Sequence, residues 1–199
     1  MALERERKFK FEKGLTWLAL EEYINETFGE SEILQQGYLM LIGDRQLRIR
    51  IIDKARAHIC YKQSLNNTDK IEIENPVSLN EAEELYSTAP YSLTKQRWKT
   101  TFQGNSVDID LYESGLCVVE IEYKDELKEL PEYCGEEITG VKEFSNIALA
   151  IAETEKRINP IIEYTSTEDK NIIKVTVTQS DGRENSFKVL TVSEDEYLK

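Results

Sequence analysis

Charged residues recur two positions apart at several places in this 199-residue sequence. The acidic pairs are Glu4 and Glu6, Glu72 and Glu74, Asp108 and Asp110, and Glu120 and Glu122, and the basic positions are Lys8, Arg48, Arg50, Lys62, Lys95 and Arg97. Carboxylate oxygens are the ligands that Mg²⁺ and Mn²⁺ prefer, whereas guanidinium groups bind phosphate oxygens through paired hydrogen bonds. Brought together, these side chains would form a site for a divalent metal and a chain of phosphates.

The elements that carry these residues are predicted to be strands, because apolar residues occupy the alternate positions. Residues two apart on a strand point to the same face, so each strand has one charged and one apolar face. The sequence predicts strands at 2–11, 35–42, 46–52, 57–63, 70–75, 92–99, 105–112 and 116–123, with helices at 16–28 and, after the capping pattern Ser78 to Glu81, at 78–87. The order of strand, helix and three strands therefore occurs twice.

Two arrangements are compatible with this alternation. An open antiparallel sheet with one solvated face would leave the charges in water, as on a non-enzymatic scaffold. Eight strands that close with their charged faces inward would instead form a polar tunnel, with the helices against the apolar exterior. The dominance of charge over Ser, Thr, Gln and Asn on these faces favours the second arrangement, an α+β fold built on an eight-stranded antiparallel β-barrel.

The chain beyond the strands is predicted to have a different organisation. Residues 131–140 are expected to be irregular, residues 144–158 to form a helix, and residues 171–178 and 185–192 to form a hairpin. We therefore expect a tunnel domain at 1–158 and a C-terminal extension at 159–199.

Composition excludes several classes of function. A formal charge of −13 repels nucleic-acid backbones, so no nucleic-acid partner is expected. The only histidine, His58, lies on a predicted strand, which argues against Ser-His or Cys-His catalysis. Cys60, Cys117 and Cys134 lack the spacing of a zinc site or a disulfide framework. No apolar run is long enough to span a membrane and no secretory signal is recognised, so we expect a cytoplasmic protein without a membrane partner.

Several short motifs occur in an order that resembles the triphosphate tunnel metalloenzymes, or CYTH superfamily. "ERERKF" resembles the family's Glu-x-Glu-x-Lys start at Glu4, Glu6 and Lys8. The further matches are "QGYL" at 36–39, "LRIRI" at 47–51, "CYKQ" around Lys62, "IEIE" at 71–74, "LTKQRW" around Lys95 and Arg97, "VDIDLYESGLCVVEIEY" at 107–123, and "GEEIT" followed by Asn146. The resemblance covers about residues 2–158. It departs from the family at 142–144, which leaves open whether one phosphate contact is lost or moves to Lys142.

The resemblance implies a tunnel built from two βαβββ halves and a metal-dependent hydrolysis of a triphosphate, or cyclisation of ATP in one branch. By position, it implies that the metal, Mg²⁺ or Mn²⁺, is bound by Asp108, Glu120 and Glu122 with help from Glu4 and Glu6. It implies a phosphate clamp of Arg48, Arg50, Lys62, Lys95 and Arg97, with Lys8 near the reacting phosphorus. We expect Glu4 or Glu6 to accept the proton of the attacking water. A homodimer is an expectation that comes from the family alone.

The substrate is expected to be mostly phosphate, because no base-recognition module is found, and inorganic tripolyphosphate is therefore the first choice. The alternatives are thiamine triphosphate or a nucleoside triphosphate, whose ring would stack on Trp17, Trp98 or a tyrosine. A class IV adenylate cyclase and a non-catalytic nucleotide- or polyphosphate-binding protein remain open.

Overall fold

The computed structural model describes residues 2–12, 17–124, 126–158, 161–166, 172–178 and 184–190. The chain divides into two compact units, Met1–Ile151 and Ala152–Lys199. Residue 16, where the first helix was expected to begin, lies outside the described residues. None of the described helices is long and apolar enough to cross a membrane.

The elements of the first unit follow the predicted order of strand, helix and three strands, twice. They are β1 (Ala2–Phe11), α1 (Trp17–Phe28), β2 (Glu32–Ile42), β3 (Arg45–Ile52), β4 (Arg56–Ser64), β5 (Asp69–Pro76), α2 (Leu79–Thr88), β6 (Tyr91–Phe102), β7 (Asn105–Tyr112), β8 (Cys117–Glu122) and β9 (Cys134–Glu137). The helix α3 (Asn146–Ile158) begins in the first unit and ends in the second. A 3₁₀ turn at Lys142–Phe144 precedes α3. The helix thus begins at residue 146 rather than 144.

Eight of these strands form a closed antiparallel ring. Their order is β5, β4, β3, β2, β6, β7, β8 and β1, and β1 pairs with β5 to complete the circle. The short strand β9, in a segment expected to be irregular, pairs with the end of β1, with Phe9 opposite Glu137 and Phe11 opposite Cys134. The predicted fold class is confirmed, and the charged faces of the strands turn toward the lumen.

Two helices cover apolar faces on the exterior of the ring. α1 packs against a buried cluster of β6, β7 and β8, and the Trp98 indole N–H donates to the Asn25 side chain at 3.0 Å. α2 covers Ile49 and Ile51 of β3 through its buried Ala82. Its N-terminus has the predicted capping box, in which Ser78 and Glu81 exchange hydrogen bonds.

One end of the lumen is filled by apolar side chains, which we call the apolar plug. Its inner-face members are Tyr38, Leu93, Tyr112 and Val118, and they pack with Ile138 and with Ala150 of α3. Aromatic and aliphatic groups stabilise this end by burial. The charged part of the lumen is therefore closed at the plug, a feature that the sequence analysis does not predict.

The second unit contains a three-stranded antiparallel sheet of β10 (Ile161–Ser166), β11 (Ile172–Thr178) and β12 (Glu184–Leu190). β11 and β12 form the predicted hairpin, with Ile172 opposite Leu190 and Thr178 opposite Glu184. β10, which was not predicted, pairs along β11. The residues between β11 and β12 lie outside the described part of the chain.

Candidate active site

A cavity of about 570 Å³ occupies the charged part of the ring, and we call it the lumen cavity. Its charged lining residues are Lys8, Arg48, Arg50, Lys62, Lys70, Arg97, Lys99 and Lys142, with Glu6, Glu72, Glu74, Asp108, Glu120 and Glu122. Eight basic and six acidic side chains give an excess of two positive charges, in a chain whose formal charge is −13. The cavity therefore favours a negatively charged ligand.

The arginines of β3 are held by the carboxylates of β5. Arg48 Nη2 lies 2.8 Å from Glu72, and Arg50 Nη1 lies 2.7 Å from Glu74. Lys62 Nζ, on the strand between them, is 2.7 Å from Glu72. Burial alone would raise the pKa of Glu72, but Arg48 and Lys62 hold it below its ordinary value. These ion pairs hold the three cations on the inner wall of the ring.

Glu6 is surrounded by lysines from three strands. Its carboxylate lies 3.5 Å from Lys8 Nζ and 3.7 Å from Lys62 Nζ, and it accepts a hydrogen bond from Lys70. Only 3% of Glu6 is exposed. The carboxylate thus fixes three ammonium groups around one point of the lumen, and Lys70 is a cation that the sequence analysis did not select.

Arg97 is the centre of a second cluster, on β6 and β7. Its Nε and Nη2 donate to Asp110, each at 2.6 Å, and its Nη1 donates to Asp108. It also reaches Glu120 at 3.2 Å. Burial opposes the charge of Asp110, but Arg97 and Lys95 hold the pKa of this carboxyl below its ordinary value. The planar guanidinium therefore has a fixed orientation across the wall of the cavity.

Lys95 lies beneath the lumen cavity and is not among its lining residues. Its ammonium is fully buried and contacts Asp110 at 2.5 Å. Burial and the nearby guanidinium of Arg97 lower the pKa of Lys95 to about 8. Its position, next to the apolar plug, explains the strength of the desolvation.

Three carboxylates gather on the wall formed by β7 and β8. Asp108 is directly opposite Glu120 in the strand register, and Glu122 follows on the same face. Lys8 donates to Glu120, whose pKa stays well below its ordinary value despite burial because of Lys8, Lys95 and Arg97.

Burial, reinforced by neighbouring carboxylates, instead raises the pKa of Asp108 and of Glu122. Within the part of the chain that the structure describes, Glu122 forms no ion pair. Asp108, Glu120 and Glu122 thus offer hard oxygen donors of the kind that Mg²⁺ and Mn²⁺ prefer, but Arg97 binds Asp108, and both Arg97 and Lys8 bind Glu120. Among the described residues, these three carboxylates do not form a group with ligand atoms within 4.8 Å of one another, so a metal ion would have to displace these ion pairs and draw the oxygens together.

A second group of metal-ligating atoms lies across the lumen. Cys60, Glu72 and Glu74 bring one ligand atom each within 4.8 Å of one another. However, Arg48 and Arg50 bind these carboxylates, and burial raises the pKa of the Cys60 thiol to about 11. Two guanidinium groups and a protonated thiol make this group a poor site for a hard cation.

The ring brings most of the predicted site residues to one cavity. Those that line it are Glu6, Lys8, Arg48, Arg50, Lys62, Arg97, Asp108, Glu120 and Glu122. Lys95 lies below it, and the side chain of Glu4 lies outside the described part of the chain. The sequence analysis missed Lys70 and Lys99, although both continue the same-face pattern of Glu72 and Arg97. Lys142, which the departure from the family left open, also lines the cavity.

No tryptophan side chain of the described residues faces the lumen cavity. Trp98 is fully buried on the outer face under α1, and the side chain of Trp17 lies outside the described part of the chain. Phe144 is the aromatic residue among the lining groups, and the Lys10 ammonium lies 4.9 Å from its ring centroid. The described residues therefore provide no open tryptophan face for an organic ring.

The chain is similar to a known protein family and to several solved structures. The sequence profile of the CYTH domain matches residues 2–150. No curated protein sequence matches the chain. Among solved structures, the hypothetical protein NE1496 is 25% identical with a TM-score of 0.51, over 74% of this chain and 97% of that chain. The PH1012 protein from Pyrococcus horikoshii is 22% identical with a TM-score of 0.49, over 62% and 80%.

A more distant structure is HpAC1 from Hippeastrum, described as a putative adenylyl cyclase with a dominant triphosphatase activity. It is 14% identical with a TM-score of 0.44, over 61% of this chain and 80% of that chain. Its similarity is too low to carry an argument about this chain. The structure of NE1496, in contrast, is similar to this chain over 97% of its own length, and this similarity supports the closed-ring fold.

Proposed function

This chain belongs to the CYTH domain family, and on that premise we propose that it is a metal-dependent triphosphatase whose substrate is inorganic tripolyphosphate. The observation that supports the proposal most strongly is the charge of the lumen cavity. Its lining has an excess of two positive charges, whereas the chain as a whole has a formal charge of −13. A cavity of this kind attracts a short, highly charged anion into an otherwise acidic protein.

The phosphate chain would lie between a basic wall and an acidic, metal-binding wall of the ring. β3, which carries Arg48 and Arg50, lies four strands around the ring from β8, which carries Glu120. Arg97 and the lysines around Glu6 supply further donors between these walls. Phosphoryl transfer depends mainly on in-line positioning and on compensation of spread negative charge, neither of which requires a histidine, and the cations of this cavity support the proposal because they can compensate such charge.

Asp108, Glu120 and Glu122 would hold the divalent metal, with Glu4 and Glu6 assisting. When bound, such an ion neutralises phosphate charge and lowers the pKa of a water ligand. The chain's own residues then have separate tasks. Lys8, which donates to Glu120, is placed to stabilise the charge that develops on the reacting phosphoryl group. Glu6 or Glu4 accepts the proton of the attacking water.

Tripolyphosphate is preferred over an organic triphosphate because half of the lining residues are charged. Trp98, one of the residues expected to stack on a ring, is buried outside the lumen. Phe144 faces the cavity edge but is paired with Lys10. A substrate without a ring uses the available phosphate-binding groups and leaves no apolar part in contact with charged side chains.

Other expectations follow from the same proposal. Among the described residues, those that line the lumen cavity fall between Glu6 and Ile147. We propose a tunnel domain at 1–158 and a C-terminal extension at 159–199. The net charge of −13 argues against a nucleic-acid partner. We propose a cytoplasmic enzyme, and the homodimer remains an expectation from the family.

The test is a substrate panel with purified protein in Mg²⁺ or Mn²⁺. Tripolyphosphate, ATP and thiamine triphosphate are assayed in parallel for orthophosphate, pyrophosphate and cyclic nucleotide. We expect the fastest reaction to be orthophosphate release from tripolyphosphate. Glu120→Gln keeps the size of the side chain but removes its charge, and we expect it to lower the rate about 100-fold or more while the melting temperature shows a folded protein.

Three outcomes would contradict the proposal. Cyclic nucleotide with pyrophosphate would indicate a cyclase, and faster hydrolysis of ATP or thiamine triphosphate would indicate an organic substrate. Binding of tripolyphosphate that raises the melting temperature without any turnover would indicate a sequestering protein.

A further inference from the structure

Asn146 lies where the lumen cavity meets the apolar plug. It is the first residue of α3 and one of the residues that line the cavity. Its side chain is not used to cap the helix, because Ser145 performs that role. The Ser145 hydroxyl accepts from the Ala148 N–H at 3.2 Å, and its carbonyl accepts from the Leu149 N–H at 3.0 Å. The amide of Asn146 is therefore available for another purpose.

The orientation of this amide is fixed by two buried donors. Lys95 Nζ donates to Asn146 Oδ1 at 3.1 Å, and the Tyr112 hydroxyl donates to the same oxygen at 2.6 Å. Lys95 is 2% exposed and Tyr112 is 1% exposed, so neither donor can turn to water instead. An ammonium group has no acceptor, and the atom that faces it must be the amide oxygen.

The amide nitrogen consequently points away from Lys95 and Tyr112. Among the described residues, no acceptor is found for Asn146 Nδ2, and this nitrogen is not one of the buried polar atoms that lack a partner. Asn146 lines the lumen cavity, so its two N–H donors are presented there. The closed end of the cavity thus has a neutral hydrogen-bond donor with a fixed direction.

We propose that Asn146 is a substrate-binding residue whose Nδ2 group donates to a phosphate oxygen at the closed end of the lumen. Lys95 is then a positioning residue, which acts on the substrate through Asn146 Oδ1 and through Asp110. This inference rests on the proposed triphosphatase function, since it assumes that a phosphate chain occupies the cavity. It gives Lys95 a role that its burial permits, in place of the direct phosphate contact expected from the sequence.

Asn146→Asp tests the inference because it replaces the amide nitrogen, a hydrogen-bond donor, by a carboxylate oxygen and keeps the other oxygen of the side chain. One carboxylate oxygen still accepts from Lys95 and Tyr112, while the second replaces the donor with a negatively charged acceptor. Tripolyphosphate binding is measured by calorimetry without metal, and kcat and KM are measured with Mg²⁺. We expect the Kd to rise about tenfold or more, because a hydrogen bond to a charged group is lost.

Asn67→Asp is the matched control. It adds the same charge to an exposed residue at the edge of the same cavity. We expect it to raise the Kd less than about threefold, since an exposed charge is screened by solvent and salt. Equal effects of Asn67→Asp and Asn146→Asp would overturn the inference, because they would show a general effect of charge.

A further variant guards against loss of the fold. If Asn146→Asp does not fold, Asn146→Ala removes the donor without adding charge, and we expect the Kd to rise about fivefold or more. An unchanged Kd in this variant would also overturn the inference.

Failure of the inference differs from failure of the proposed function. Hydrolysis of tripolyphosphate with an unchanged Kd in the Asn146 variant overturns only the role of Asn146. Wild-type binding without turnover, weakened by the variant, supports that role and overturns only the triphosphatase proposal. Absence of wild-type binding together with absence of hydrolysis in Mg²⁺ would overturn both.

Discussion

At the scale of single residues, the face of the strand on which a charged side chain lies determines whether that side chain reaches the lumen. Arg50 and Arg45 belong to the same strand, β3, but their side chains lie on opposite faces. The Arg50 side chain is 14% exposed and is bound to Glu74 in the lumen, whereas Arg45 is exposed. Of these two arginines, Arg50 lines the lumen cavity and Arg45 does not.

Arg50→Gln and Arg45→Gln therefore form a matched pair. We expect Arg50→Gln to weaken tripolyphosphate binding about tenfold or more, since a charge-assisted contact in a shielded cavity is lost. Arg45→Gln removes the same charge outside the ring, and we expect a change below about twofold because solvent screens it. Titration calorimetry at one salt concentration measures both, and equal losses in the two variants would contradict the assignment of the inner face.

Most residues that line the candidate site were predictable from the sequence, whereas the ion pairs that they form were not. Same-face spacing identifies Arg48 and Arg50 as neighbours because a strand has a period of two. It does not give the depth of a side chain along the lumen, which depends on how the strands are staggered when the ring closes. Lys95 and Arg97 share one face, yet only Arg97 reaches the cavity.

At the scale of elements, the fit of α2 on the ring depends on a glycine in β2. A Cβ atom at Gly37 would lie 2.8 Å from the Ala89 Cβ atom and 3.1 Å from both Ile49 Cγ2 and Tyr86 Cδ2. These neighbours belong to the end of α2 and to the strand beneath it. The close approach leaves no room for a side chain.

We expect Gly37→Ala to lower the free energy of unfolding by about 1–3 kcal/mol, because α2 must shift to relieve the overlap. Urea denaturation measures the change. Ile42→Ala, at the exposed end of the same strand, serves as the control and should stay within about 0.5 kcal/mol of wild type. Stability equal to wild type in Gly37→Ala would show that α2 does not approach β2 so closely.

Elements with strong local signals were predictable, and those formed by distant pairing were not. Ser78 and Glu81 mark the start of α2, and their capping box is present. β9 has four residues without apolar alternation, and it forms by pairing with β1, for example Phe9 with Glu137. Such a strand depends on contacts across more than 100 positions of sequence, which no local pattern reports.

At the scale of the whole first unit, closure of the ring turns the charged faces of the strands toward one another, and a cavity forms between them. The contact between β1 and β5 joins Ala2 to Glu72 and Arg5 to Asp69. The charged faces predicted the polar lumen, whereas the apolar plug arises from positions further along the same faces and from α3. The plug thus closes one end of the cavity.

The central claim is that this lumen binds a phosphate chain together with a divalent cation. A crystal structure of the protein with tripolyphosphate and Mn²⁺, with anomalous data, tests it most directly. We predict a manganese peak at Asp108, Glu120 and Glu122, and phosphates inside the ring against the arginines of β3. Phosphates bound only on the outer surface, or a manganese peak at Cys60, Glu72 and Glu74, would contradict the claim.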